Sequence, residues 1–227
     1  MNGVSELAEA VAESVSAPAP SAKISDQLKP AILATLGLTI LTGCIFPLLL
    51  YFIARPLFPS RVQGSLVVRD GVVVGSKLIG QAFTKPEYFQ SRPSAAGRGY
   101  DGTAFGATNL GPNNPQLTNG SASFAGIRQL AEEYRRLNVL PPTAPVPIDA
   151  VTRSGSGLDP HISPENADLQ VSRVARARGL SEEALRRLVR EHTAGPQLGF
   201  LGEPRVSVLE LNLALDQLTR YATSNEH

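Results

Sequence analysis

One uncharged stretch, from Ala31 to Ala54, constrains this chain more than any other feature. At about 1.5 Å of rise per residue, about two dozen helical residues cross the roughly 30 Å hydrocarbon core of a bilayer. The alternatives are a secretory signal peptide and the buried core helix of a soluble domain. A signal has a shorter apolar region, of about 7–15 residues, that ends at a small-residue cleavage site. Because this run is longer and Arg55-Pro56 follows it, we predict a retained transmembrane helix over residues 30–54.

The rest of the chain is divided by this helix. Residues 1–29 hold the weakly amphipathic run ELAEAVAESV and then APAPSA, whose prolines cannot continue a helix, so we predict a mostly disordered, solvent-facing segment. Residues 60–222 are numerous enough for one compact domain. The predicted fold class is an α+β soluble domain, built from a β-hairpin, several helices and long ordered loops, and anchored by one N-terminal transmembrane helix.

Composition excludes some classes of function. Lysine and arginine total 21 and aspartate and glutamate total 20, a balance that argues against nucleic-acid binding. The only cysteine, Cys44, lies in the predicted span, so the soluble domain can form no internal disulfide. A single span cannot enclose an ion path, because such a path needs several helices. A role in transport would therefore require partner subunits.

The predicted span carries features that favour a partner helix. Gly37, Thr39 and Gly43 are small positions that let another helix approach closely in lipid. Pro47 removes one backbone donor in mid-span and predicts a kink. These positions are our candidate packing residues.

Two segments after the span indicate its local structure. Asp70-Gly71 lies between β-branched runs and predicts a β-hairpin with a type I′ turn. The polar tract over 81–120 lacks any sustained period, and a disordered linker is one interpretation. We favour an ordered loop that packs on the domain and presents a recognition surface, because disordered segments usually lack large aromatic side chains. The tract contains Phe83, Tyr88, Phe89, Tyr100 and Phe105.

Helices are predicted over much of the remainder. Their expected starts are Ser121 or Ser123 for a helix over 121–137, Ser163 and Ser181 for two helices separated by Gly179, and Ser207 for the last helix. The last segment also alternates like a strand from Val206, but Ser207 and Glu210 form an S-x-x-E capping box that favours a helix.

The sequence has no G-x-x-x-x-G-K-[ST] loop, no H-E-x-x-H motif, no paired cysteines and no G-x-S-x-G elbow. Ser154-Gly155-Ser156-Gly157 has the composition of a backbone nest for phosphate, although such short runs are usually turns. Asp159 and His161 bring a carboxylate and an imidazole close together. They would serve as a metal or acid–base site only with partners from elsewhere, and otherwise form a turn before a helix.

Long motifs nevertheless resemble one family. They are GSKLIGQ over 75–81, YFQSRPS over 88–94, TNLGPNNP over 108–115, SGSGLDPH over 154–161, QVSRVA over 170–175 and GEPRVSVL over 202–209. In this order, after one N-terminal span, the chain from about residue 28 to 218 is similar to the C subunit of the Kdp potassium-transporting ATPase, the KdpC family. The segment before the span is longer than is usual in that family.

The resemblance implies an accessory subunit of a high-affinity, ATP-driven potassium uptake complex in the bacterial inner membrane. The implied partners are a potassium-translocating subunit, a P-type ATPase subunit and a small single-span subunit. The implied role is assembly and stability, together with a catalytic chaperone effect that raises the ATP affinity of the ATPase subunit. No cofactor is expected on the chain itself, and ATP is implied only through the ATPase subunit. Residues 154–157 are implied as a nucleotide contact, and we favour a partner contact there.

Charge and family resemblance predict opposite sides of the membrane for the large domain. Arg55, Arg61 and Arg69 after the span, against Lys23 and Lys29 before it, narrowly favour a cytoplasmic domain. That count loses force for a long domain, and the resemblance implies a periplasmic one.

Two other classes of function stay open from the residues alone. One is a membrane-anchored hydrolase or nucleotide-binding domain that uses Asp159, His161 and a serine. The other is a simple anchored binding module.

Overall fold

The computed structural model describes residues 23–224. It divides into two compact units, with the boundary between Val62 and Gln63. Residues 1–22, which include the run ELAEAVAESV, lie outside the described residues.

The first unit contains one long apolar helix, from Ile24 to Leu57, and it is the only described helix long and apolar enough to cross a membrane. It consists of α1 (Ile24–Ile40), a π-helical turn (Leu41–Ile45) and α2 (Phe46–Leu57), followed by the short α3 (Pro59–Val62). The helix begins at Ile24, so the prediction of disorder was wrong for residues 24–29; Asp26 lies in the first turn, where a negative charge stabilises a helix. The π turn ends two residues before Pro47, whose missing N–H leaves one i→i−4 hydrogen bond of the helix unmade. No residue of the long helix Ile24–Leu57 is buried.

The second unit begins with the predicted hairpin. Strands β1 (Leu66–Arg69) and β2 (Val72–Ser76) pair antiparallel, with a register shift between Val67 and Val68. Asp70 and Gly71 both have positive φ, as the type I′ turn requires, so this prediction is confirmed.

Three short or medium helices come next: α4 (Pro115–Asn119), which lies at the end of the polar tract, and then α5 (Ile127–Asn138) and α6 (Ile148–Val151). The start predicted for the helix over 121–137 was wrong. Ser121 instead pairs with Phe124 in an isolated bridge, and Gly126 is the N-cap of α5. The Gln129 side chain accepts a hydrogen bond from the Gly126 N–H at 2.7 Å, so the helix start is satisfied without a serine.

The remaining elements agree with the predicted caps. Strand β3 (His161–Ile162) precedes α7 (Pro164–Arg178), and α8 (Glu182–Glu191) precedes β4 (Thr193–Ala194), β5 (Arg205–Ser207) and α9 (Val208–Ser224). The hydroxyls of Ser163 and Ser181 accept hydrogen bonds from backbone N–H groups in the first turns of α7 and α8. Strand β5 lies between β3 and β4, antiparallel to both.

The main hydrophobic core lies between α7, α8, α9 and the three-stranded sheet. Its buried residues include Phe89, Ile162, Val171, Val174, Leu185, Val206, Leu211 and Leu215. A smaller cluster of Tyr134, Ala150 and Val151 joins α5 to α6. The polar tract contributes Phe89, which is fully buried in this core, and Phe83, which packs against it. The α+β class predicted for this unit is thus confirmed.

Candidate functional site

Three of the motifs identified in the sequence, 75–81, 88–94 and 154–161, meet at one loop of the second unit. The Gly80 N–H donates to the Leu158 carbonyl at 2.8 Å, and the Gly106 N–H donates to the Ser156 carbonyl at 2.9 Å. The Ser94 hydroxyl donates to the Gly157 carbonyl at 2.5 Å. Segments far apart in sequence are therefore joined through the 154–159 loop.

The loop of Ser154–Gly157 has an exposed tip and a buried end. Gly155 and Ser156 are exposed, whereas Gly157 is buried. Gly157 has φ +70°, and a Cβ there would lie 2.7 Å from the Ala96 nitrogen and the Gly106 oxygen. Only glycine fits this position, since both contacts are backbone atoms. The Ser156 hydroxyl accepts a hydrogen bond from the Leu158 N–H at 3.1 Å. Gly157 is therefore required for close packing, and Gly155 and Ser156 form a small exposed tip.

Ser94 connects this loop to the polar tract. Its oxygen also accepts hydrogen bonds from the N–H groups of Ala96, at 3.1 Å, and Tyr100, at 2.9 Å. The Tyr100 hydroxyl donates to the Arg92 carbonyl. Burial raises the pKa of Tyr100 to about 12, so this phenol stays protonated. The tract is thus fixed by hydrogen bonds where its sequence shows no regular period.

Asp159 and His161 form part of a charged cluster. Arg92 Nη1 lies 2.9 Å from Asp159 Oδ2, and His161 Nδ1 lies 3.5 Å from Asp159 Oδ1. Burial by itself raises the pKa of Asp159, but hydrogen bonds from His161 and Arg92 and the Arg92 charge outweigh it, so the pKa lies below its ordinary value. Asp159 is therefore a stable anion paired with arginine, and this pairing gives it a structural role.

A cavity of about 370 Å³ lies beside this cluster, with Asp149, Glu203 and Arg205 also in its lining. The Asp149 carboxylate binds the N-terminus of α7. It accepts hydrogen bonds from the Ser163 N–H and hydroxyl and from the Asn166 side-chain amide, all at 2.8–2.9 Å. Among residues 23–224, no group of three or more histidine, cysteine or carboxylate side chains could hold a metal ion. No hydrogen bond within that range joins Ser156 to Asp159 or His161. The serine, histidine and carboxylate of the hydrolase hypothesis are thus not assembled into a catalytic arrangement.

A second polar arrangement, which the sequence reasoning missed, holds residues 86–90. Asn212 of α9 forms two 2.9 Å hydrogen bonds with the backbone of Phe89, one to the N–H and one to the carbonyl. Gln170 of α7 does the same for Gln90, at 2.7 Å and 3.2 Å. Two buried amides thus replace the neighbouring strand that this extended segment lacks.

Arg173 extends this arrangement. Its guanidinium donates to the carbonyls of Pro86, at 2.6 Å, and Tyr88, at 3.0 Å, and also to Asn138 and Gln170. Burial lowers the pKa of Arg173, although an arginine remains charged after such a shift. A signal was present in the sequence: Asn166, Gln170 and Arg173 follow helical spacing beside the apolar stripe of α7. We call Gln170, Arg173 and Asn212 the backbone-binding set.

Asp216 joins the hairpin to the helices. Its carboxylate lies 3.2 Å from Arg69 Nη1 of β1 and 2.8 Å from Arg178 Nη2 of α7. The Arg178 guanidinium also lies over the ring of Tyr88, 4.7 Å from its centroid. This cluster is half-buried, so its charge pairs are less screened than surface pairs.

The candidate packing residues of the N-terminal helix all lie on its open surface. Gly37, Thr39 and Gly43 are exposed, and a Cβ at either glycine would meet nothing within 4 Å. Gly43 lies inside the π turn, where the Phe46 N–H donates to the Leu41 carbonyl. Each position predicted to pack against a partner helix is therefore accessible on the helix surface.

These features define the class: an α+β domain with a charged cluster but no catalytic constellation among the described residues, and a separate apolar helix. Comparison with known families adds the particular relationship. The model of the family described as KdpC, the c chain of the K⁺-transporting ATPase, matches residues 28–217. This chain belongs to the KdpC family.

Individual relatives agree with this assignment. The chain is 48% identical over 186 residues to a potassium-transporting ATPase KdpC subunit of Koribacter versatilis, a match that covers 82% of this chain and 92% of the relative. It is 53% identical over 190 residues to one from Sorangium cellulosum, covering 83% and 96%. It is 52% identical over 186 residues to one from Kineococcus radiotolerans, covering 81% and 88%.

Proposed function

We propose that this chain is a non-catalytic accessory subunit of an ATP-driven potassium uptake complex, and that it supports the assembly and stability of the complex. The observation that carries the proposal is the apolar helix Ile24–Leu57, none of whose residues is buried. Such a helix needs lipid or partner helices around it. Membership of the KdpC family supplies the kind of complex.

The partners in this proposal are a potassium-translocating subunit, a P-type ATPase subunit and a small single-span subunit. The test is purification of the tagged full-length chain from membranes in mild detergent, with these subunits co-expressed. We expect them in stoichiometric amounts. Recovery of the chain as a lone, stable monomer would contradict the proposal.

The helix contributes to assembly through its small residues. Helices in lipid associate by close packing and hydrogen bonds, since burial against another helix gains little over lipid. Gly43→Leu should therefore reduce recovery of the potassium-translocating subunit while membrane insertion is retained, because leucine is favourable in a span. Leu50→Ala, nearer the end of the span, is the matched control and should have a smaller effect. Equal recovery with Gly43→Leu and the wild type would mean that the helix is only an anchor.

The location in the proposal is the bacterial inner membrane, with one crossing and the large domain in the periplasm. The support is the family relationship, against the narrow charge count. Ser156 is exposed at the tip of its loop, so a cysteine there, in a Cys44→Ala background, should react with a membrane-impermeant thiol reagent in cells with a permeabilised outer membrane. Labelling only after the inner membrane is broken would reverse the orientation.

An effect on ATP affinity is the finer part of the proposal. Because ATP is cytoplasmic, a periplasmic domain would raise the ATP affinity of the ATPase subunit through contacts between subunits. The Ser154–Gly157 loop fits a contact between subunits better than a contact with nucleotide, since its Ser156 and Gly157 carbonyls already accept hydrogen bonds from within the domain. The measurement is the KM for ATP of the purified ATPase subunit with and without added full-length chain. An unchanged KM would exclude the chaperone effect and leave the assembly role standing.

A further inference from the structure

The π turn of the long apolar helix leaves one backbone carbonyl without a helical donor. In an α-helix the Thr42 carbonyl would accept a hydrogen bond from the N–H of Phe46, and in a π-helix from the N–H of residue 47. The Phe46 N–H donates instead to the Leu41 carbonyl, and Pro47 has no N–H. Among the described residues, the Thr42 carbonyl therefore has no donor at either helical spacing. Pro47 also removes the α-helical donor of the Gly43 carbonyl.

The side chains of the helix do not replace the missing donors. The Thr42 hydroxyl donates to the Leu38 carbonyl at 2.6 Å, so its proton is already used. Thr42 and Gly43 are both exposed, and a Cβ at Gly43 would meet nothing within 4 Å. The surface at these two residues is therefore open to a neighbouring molecule. We call the carbonyls of Thr42 and Gly43 the open carbonyl pair.

The open carbonyl pair lies at the middle of the uncharged stretch Ala31–Ala54. At about 1.5 Å of rise per residue, each end of the stretch is about 17 Å away along the helix axis. In a bilayer this depth is hydrocarbon, and neither lipid chains nor water supply a hydrogen-bond donor there. A backbone acceptor left unpaired in such surroundings is costly. The pair therefore needs a donor from another protein helix.

The missing donor indicates the kind of occupant. A second copy of this helix, packed in parallel, would bring the same residues to this depth. Their donors are the Thr42 hydroxyl, already bonded to Leu38, and the weak thiol donor of Cys44. Hydroxyl and amide side chains on a different helix are the groups that form hydrogen bonds between helices in membranes. Among the partners of the proposed function, the potassium-translocating subunit must carry polar groups at mid-depth, because an ion path requires them.

We propose that the open carbonyl pair accepts a hydrogen bond from a hydroxyl or amide side chain on a transmembrane helix of the potassium-translocating subunit. Gly43 allows that helix to approach closely enough for the bond to form. A regular helix would have used both carbonyls internally, so the π turn and Pro47 together create the acceptor. This inference rests on the proposed function, which supplies both the membrane and the partner.

Carbonyl NMR tests the hydrogen bond itself. Thr42-Gly43 is the only threonine–glycine pair in the chain, so ¹³C-carbonyl threonine combined with ¹⁵N-glycine selects the Thr42 carbonyl. The labelled full-length chain is compared in lipid bilayers, alone and in a complex with unlabelled partner subunits. We expect the carbonyl resonance to move downfield in the complex, as a carbonyl resonance does when it gains a hydrogen bond. An unchanged resonance in an intact complex would overturn the inference and leave the proposed function standing.

Substitution of Pro47 tests whether the bond contributes to assembly. Pro47→Ala returns an N–H to the helix, so a carbonyl of the pair can be satisfied without a partner. We expect membrane insertion to be retained. Recovery of the potassium-translocating subunit after a stringent wash should fall roughly threefold to tenfold, the range for one hydrogen bond between membrane helices.

Pro30→Ala is the matched control, because Pro30 also lies inside the helix but near its start. Recovery of the potassium-translocating subunit should be unchanged with this variant. Wild-type recovery with Pro47→Ala would overturn the inference. Equal losses with both variants would also overturn it, because any proline of the helix would then have the same effect. A wild-type chain that recovers no partner would contradict the proposed function as well.

A photo-crosslinking residue at position 46 identifies the occupant. Position 46 lies about one turn after Thr42, whereas position 48 lies about 200° further around the helix. The expected product from position 46 is an adduct with the potassium-translocating subunit, identified by mass spectrometry, and position 48 should give little of it. Adducts from position 46 only with lipid, with a second copy of this chain or with a different subunit would contradict the inference.

Discussion

Gly157→Ala should destabilise the domain strongly, and Gly155→Ala in the same loop should not. A non-glycine residue at positive φ costs about 1–2 kcal/mol, and Gly157 has φ +70°. The new Cβ would also lie 2.7 Å from two backbone atoms, of Ala96 and Gly106. Forcing such overlaps typically costs about 1–3 kcal/mol. The expected loss for Gly157→Ala is therefore about 2–5 kcal/mol, out of the roughly 5–15 kcal/mol that stabilise a typical domain.

Gly155 is the matched control for this prediction. A Cβ at Gly155 meets nothing within 4 Å, and the residue does not have positive φ. Its substitution by alanine should change stability by less than about 0.5 kcal/mol. The assay is urea unfolding of the full-length chain in detergent, followed by pulse proteolysis. Equal urea midpoints for the two variants would refute the packing argument. Greater damage from Gly155→Ala would indicate that the exposed loop tip has the dominant role.

Three further predictions concern the same domain. Asn212→Ala should cost about 2–6 kcal/mol by urea unfolding, because it leaves the buried N–H and carbonyl of Phe89 unpaired at about 1–3 kcal/mol each; a loss below about 1 kcal/mol would contradict the role of the amide. The pKa of Asp159 is lowered in the fold, so its stabilising effect is present above its unfolded pKa of about 3.9 and is lost as the pH falls through the folded value. Asp159→Asn should therefore flatten the loss of stability that sets in as the pH falls below about 5, and an unchanged pH profile would exclude its pairing with Arg92. Gly71→Val should cost about 1–3 kcal/mol through positive φ alone, since nothing surrounds its Cβ position; normal cellular abundance of this variant would argue against the strain.

The elements that the sequence predicted are those with strong local signals. The Asp70-Gly71 turn and the caps at Ser163, Ser181 and Ser207 depend on a few neighbouring residues. The Glu210 side chain, which a capping box would direct back to Ser207, lies instead 2.7 Å from Lys77. The start of α5 was predicted wrongly because its local signal was misleading. Ser121 and Ser123 resemble caps locally, but Phe124 pairs back with Ser121 and moves the helix start to Ile127.

The sequence predicted that the polar tract is ordered, but it did not predict which residues of the domain the tract contacts. Its order depends on side chains far away in sequence, such as Gln170 and Asn212, which bind its backbone in place of a neighbouring strand. Periodicity identifies the apolar face of a helix and does not show what a polar residue at the edge of that face will bind. Phe105 illustrates the limit, because its aromatic ring suggested packing and the structure leaves it exposed.

The most direct test of the central proposal is potassium-stimulated ATP hydrolysis in membranes from cells that express the complex with and without this chain. The proposal predicts that without the chain the other subunits fail to assemble, and that the stimulated activity is lost. Supplying the full-length chain should restore both assembly and activity. Full potassium-stimulated activity and an intact complex in the absence of the chain would contradict the proposal.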